Sequence, residues 1–150
     1  MIEQTSDVWR VLRARDSEQP ADPAAVSVLE AVYDAFRRRD PRLLTPWVDA
    51  ERTVWRIAPG APWSGTYIGR AGLATLGAAM RTYFTGALEP RTFLRVGDHT
   101  VVEGVLVGTR PDGTEIAIPA THVARVAAGR LLELEVWLDA AVVRNALELS

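Results

Sequence analysis

Apolar residues recur along this chain first at helical spacing and then in strand-like alternation, and the change of period divides its architecture. Ala25, Val28, Leu29, Val32 and Phe36 share one helical stripe. Asp22 followed by Pro23 reads as an N-cap and first helical residue, and Arg37, Arg38 and Arg39 suit the negative end of that helix. A second short helix is expected over Pro41 to Val48, carrying Leu43, Leu44 and Trp47 inward, and a third over residues 70–84. Between them Thr53 to Ala58 is strand-like, and Pro59 to Gly65 is a loop of turn formers that carries an exposed Trp63 and suits the mouth of a pocket.

From Arg91 onward the period is two. Arg91 to Gly97, Thr100 to Thr109, Glu115 to Val126 and Leu131 to Leu138 read as consecutive strands, with turns at Pro111 to Gly113 and Ala127 to Gly129. Asp139 then caps a final helix through Leu147. Helices followed by an antiparallel meander predict an α+β domain, a curved sheet wrapped around three N-terminal helices with a deep apolar pocket. That domain is expected over residues 22–150. In residues 1–21, Val8, Trp9, Val11 and Leu12 fit one or two short amphipathic turns before a proline-punctuated stretch, and this segment is expected to be an appendage, a short helix or disordered.

The alternation also nominates chemistry. Val101, Glu103, Val105 and Val107 share one face of their strand, and Ile116, Ile118, Ala120 and His122 share one face of the next. If both rows line the concave side, Glu103 and His122 look into one cavity as a catalytic pair. A carboxylate beside imidazole raises the histidine pKa and fixes its tautomer, giving an acid or base usable near neutral pH. The plainer reading is that His122 satisfies itself on a backbone carbonyl and Glu103 faces solvent. Trp55, Tyr33, Trp63 and Tyr67 are candidate substrate-binding aromatics, and Val105, Ile118, Ala120 and Val136 candidate apolar lining. On the last strand Leu134, Val136 and Leu138 take the pocket face, which leaves Glu133, Glu135, Trp137 and Asp139 on the other.

Composition narrows the classes. The 150 residues suffice for one core, and the formal charge of −2 offers no face built to neutralise phosphates, so nucleic acid is not an expected partner. Every basic residue is arginine and cysteine is absent, which removes lysine Schiff-base and thiolate chemistry. Two ligands fall short of the three or four that zinc sites use, so no metal and no cofactor is expected. The Gly65-Thr-Tyr-Ile-Gly69 segment lacks the lysine of a phosphate-binding loop, and its glycines are expected to turn the chain into the following helix. No apolar run approaches the roughly 18 residues of a membrane helix, and the start lacks a secretory pattern, so a cytoplasmic location without membrane contact is expected.

Several segments together resemble the SnoaL-like group of the NTF2-like superfamily: Tyr33-Asp-Ala-Phe36 with Asp40, Gly65 to Gly69, Thr121 to Val126, Gly129 to Leu131, and Trp137-Leu-Asp139. The likeness spans about residues 24–148 and implies the NTF2-like cone, which hosts many reactions and also proteins without chemistry. The epoxide-hydrolase-like set of that superfamily falls on Glu103, Val105 and Val136, with its water-holding partners on Trp55 and Ile57, so its carboxylates are missing. The ketosteroid-isomerase-like set falls on Val32 and on Trp55 or Arg56. In the polyketide-cyclase-like set the histidine falls on His122, whereas the aspartate falls near Val136. Asp139 is the nearest substitute, yet its face and capping position argue for a structural role. The resemblance also implies a homodimer through the outer sheet face, with Trp137 in it and Glu133, Glu135, Arg125 and Thr121 as its polar part. A cofactor-independent cyclase or isomerase acting on a hydrophobic, polyketide-type small molecule is therefore expected, with a non-catalytic binding protein as the alternative.

Overall fold

A computed structural model of the chain describes residues 19–149. The expected appendage lies outside them except for its last three residues, of which Gln19–Pro20 forms a short edge strand, β1. Helix α1, Pro23–Arg38, starts as its sequence dictates. The Asp22 carboxylate accepts the Ala24 N–H at 3.1 Å, and Pro23 occupies the first turn. Its buried stripe is Ala25, Val28, Leu29, Val32, Tyr33 and Ala35, while Arg37 and Arg38 pair with Asp34 at 2.8 and 2.9 Å on the exposed side.

The expected second helix is only a 3-10 turn, Pro41–Leu44, capped by Asp40. Leu44 is buried and Trp47 half-buried, but Leu43 is 40% exposed, because so short a turn has one inward position rather than a stripe. Strand β2, Val54–Ile57, is followed by β3, Gly65–Ile68, which pairs antiparallel to it where a turn was expected. The reversal into helix α2, Gly69–Arg81, falls on Gly69 alone. Its φ is +69°, and a Cβ there would meet the Ala50 carbonyl oxygen at 2.7 Å, so only glycine fits.

The meander comprises β4 (Thr85–Val96), β5 (His99–Thr109), β6 (Glu115–Ala127) and β7 (Arg130–Leu138), and helix α3 (Ala140–Ala146) closes the chain. Strand β4 begins six residues earlier than the expected Arg91, because a bulge between Pro90 and Thr92 absorbs the proline within the strand. Asp139 does cap α3, accepting from Ala141 and Val142 at 2.8 and 3.0 Å. The sheet order is β1-β4-β5-β6-β7-β2-β3, antiparallel except for β2 beside β7. This open mixed sheet with helices on one side is the expected α+β cone. Its core lies between the sheet's inner face, carrying Val102, Leu106, Ile118, Ala124 and Leu134, and the buried stripes of the helices.

Candidate functional site

Strand register decides which side chains meet. In the β5–β6 hairpin Val102 pairs with His122, Leu106 with Ile118 and Glu103 with Thr121. Paired residues point to the same face, so His122 sits on the inner face between Val102 and, across β7, Val136. Glu103 and Val105 sit on the outer face, and the expected Glu103–His122 pair does not form. The cause lies in the connection Arg110 to Thr114, where the Arg110 N–H donates to the Thr114 carbonyl at 2.8 Å and fixes Thr109 opposite Glu115. Residues of like parity are thereby paired, and an odd-numbered row on β5 cannot share a face with an even-numbered row on β6.

The partner of His122 comes from α1 instead. The Tyr33 hydroxyl lies 2.9 Å from His122 Nδ1, with ring centroids 5.6 Å apart. Tyr33 is 2% and His122 8% exposed. Burial pushes the phenol of Tyr33 well above its ordinary value and pulls His122 down from 6.5 to about 4. Both groups are therefore neutral at neutral pH, opposite to the charged imidazole that a Glu103 partner would have produced. The sequence does carry a signal for the pairing. Tyr33 is a residue with a polar tip on the apolar stripe of α1, which buried tyrosines occupy when a hydrogen-bond partner awaits them.

Around this pair the candidate lining is mostly inner-face. Trp55 is buried, its ring 5.6 Å from Phe36 in an edge contact, and it pairs across the sheet with Leu134 and Tyr67. Ile118 and Ala120 are buried on β6, and Val136 and Leu138 remain half-buried on β7. Trp63 is a correction. It is 2% exposed, packed on Tyr83 and Phe84 at centroid distances of 5.7 and 5.5 Å. Its carbonyl accepts the Tyr67 hydroxyl at 2.8 Å, and Ser64 ties the loop to Ala58 and Ala61. A loop anchored by its largest side chain is a core element, not a lid.

The outer face buries charge by pairing it. Glu135, 3% exposed, accepts the Trp137 indole N–H at 2.8 Å and lies 3.8 Å from Arg56, which also pairs with Glu133. Val96, Val101 and Val123 pack there with Trp137. A groove of about 730 Å³ opens elsewhere, between Arg37 and Arg39 at the end of α1 and the ends of β4 to β6, and none of the candidate site residues lines it. Among the described residues no three of His, Asp and Glu converge as metal ligands, and no helix is long and apolar enough to cross a membrane.

With this geometry in hand, comparisons place the fold. TerC, a structure co-crystallised with polyporic acid, is similar at 25% identity with a TM-score of 0.75, covering 83% of this chain and 98% of that one. An NTF2-like protein from Burkholderia pseudomallei is 22% identical, with a TM-score of 0.73 over 84% of this chain and 98% of its own. A Jannaschia protein assigned as a SnoaL-like polyketide cyclase matches at 15% identity and a TM-score of 0.69, covering 88% and 99%. The fold is thus the NTF2-like cone. Among curated proteins the chain has no match. A family model described as a SnoaL-like domain matches residues 29–134, well over half of the chain and including both Tyr33 and His122. The chain belongs to the SnoaL-like domain family.

Proposed function

We propose that this protein binds a hydrophobic, oxygen-bearing molecule of polyketide type in its cone and promotes cyclisation or isomerisation without a cofactor. The observation that carries the reading is the neutral Tyr33–His122 pair, hydrogen-bonded at 2.9 Å on an otherwise apolar face. Such a face folds a flexible apolar chain into a reactive conformer, and a single hydrogen-bonding group orients its oxygen. The similarity to TerC, co-crystallised with polyporic acid, supports an aromatic, oxygenated ligand class. Hydrolysis is disfavoured, because Val102 and Val136 flank His122 where a carboxylate would be needed to activate water.

The test is a titration with polyporic acid followed by incubation with a linear poly-β-ketone thioester and mass analysis of products. Saturable binding, weakened about tenfold or more in His122→Leu, together with a cyclised product is the expected result. Absence of both binding and product would overturn the proposal. The same missing carboxylate favours a second reading, a binding protein without turnover, for which saturable binding and unchanged thioester are expected. We further propose a homodimer through the outer face around the half-buried Trp137, a reading that rests on the family resemblance, since Val96, Val101 and Val123 beside it are already buried within one chain. Trp137→Arg should then sediment as a monomer, and a persisting dimer would move the interface elsewhere.

A further inference from the structure

We propose that Tyr33 locks His122 in the Nε2–H tautomer, so that the imidazole acts as a neutral hydrogen-bond donor to a carbonyl or enolate oxygen of the ligand rather than as a base. This rests on the functional reading above and adds the direction of the proton to it. A tyrosine hydroxyl carries one proton and, in an apolar setting, must donate it. Among the described residues Tyr33 has one hydrogen-bond partner, His122 Nδ1. Donating there requires a lone pair on Nδ1, which puts the ring proton on Nε2.

Nε2 is also the nitrogen that remains open. Among the described residues the one fully buried side-chain polar atom without a hydrogen-bond partner is Glu135 Oε1. His122 has a partner at Nδ1 only, and Nε2 is not among the fully buried atoms left without one, so it retains some accessible surface in this 8% exposed residue. The neighbours on its own strand, Ala120 and Ala124, and those across the sheet, Val102 and Val136, supply no acceptor side chain. Nε2–H is thus a donor held in place by α1 and left for a ligand oxygen. A neutral imidazole in this role polarises a carbonyl and stabilises the negative oxygen that enolisation or ring closure creates, without giving up its proton. The ligand class follows: neutral ketones, quinones and their enolates fit, whereas ammonium groups, which have no acceptor, do not.

Nitrogen-15 and carbon-13 NMR of the ligand-free, histidine-labelled protein tests this directly. The expected spectrum shows His122 protonated at Nε2 alone, and Tyr33→Phe should shift it toward a mixture of tautomers. A wild-type ring protonated at Nδ1 would overturn the inference even if Tyr33→Phe fails to fold. Saturation with 1,4-naphthoquinone should move the Nε2-bound proton downfield, and an unmoved proton at saturation would refute its contact with the ligand oxygen. Failure of naphthoquinone to bind would count against the proposed function, while the ligand-free tautomer still decides the inference. In a turnover assay, His122→Gln, which retains an N–H donor, should keep more rate than His122→Leu, which should lose about a hundredfold. Equal losses would count against the donor role.

Discussion

On the inner face His122 meets a phenol, and on the outer face Glu135, beside the cross-strand neighbour of His122, meets an arginine and an indole. The two residues lie on opposite sides of one sheet and are about equally buried. The histidine tolerates burial by losing its charge, whereas the carboxylate is held by one indole donor on Oε2 and by the opposite charge of Arg56 3.8 Å from Oε1, which has no hydrogen bond of its own. A charge paired within the protein is committed to its partner. A neutral ring with one nitrogen satisfied keeps a second nitrogen for a further hydrogen bond, and that difference is why the proposed binding role falls to the inner face.

The contrast can be broken at several points. The largest effect is expected beneath the inner face, where Trp63→Ala should cost about 4 kcal/mol in chemical denaturation by opening a cavity against Tyr83 and Phe84. A loss below about 1 kcal/mol would return the loop to the role of a lid. Next comes the pH dependence of His122. Its folded value near 4 lies below the ordinary 6.5, so between those values the unfolded chain binds a proton that the folded one refuses. Stability should be complete above about pH 6.5 and fall as the pH drops toward about 4, by at most about 3 kcal/mol, and His122→Leu should flatten that slope. On the outer face, Arg56→Met should cost about 2 kcal/mol, because it strands the Glu135 carboxylate while Arg56 itself is 28% exposed in its side chain. A neutral result would mean that the indole alone suffices to hold Glu135.

Much of the fold was legible because it follows from local rules. The Asp22 and Asp139 caps, the α1 stripe and the ends of β5, β6 and β7 stand within a residue or two of where periodicity put them. Alternation also placed His122, Ile118 and Val136 on the inner row. What alternation cannot give is parity between strands. That depends on the Arg110 to Thr114 connection, and it moved Glu103 and Val105 to the other side. Pro90 and Gly86 concealed the first half of β4, since both read as breakers until the bulge and the close approach of Gly86 to the Val107 carbonyl are seen. Trp63 misled because a loop of turn formers reads as surface, whereas its burial depends on Tyr83 and Phe84, distant in sequence.

The parallel pairing of β2 with β7 bears on how this protein comes into being. Thr53, at the entrance to β2, donates its hydroxyl to the Leu131 carbonyl 78 residues downstream, and Tyr33 waits 89 residues for His122. Closing such spans carries an entropy cost before any contact is returned, so the early part of the chain gains its neighbours late. During synthesis Trp55 and Tyr33 emerge well before the strands that shelter them, and the inner face assembles as one of the last acts of folding. Truncation before β7 would strip Trp55 of Leu134, and truncation before β6 would also strip Tyr33 of His122, making the later strands the guardians of the earlier residues.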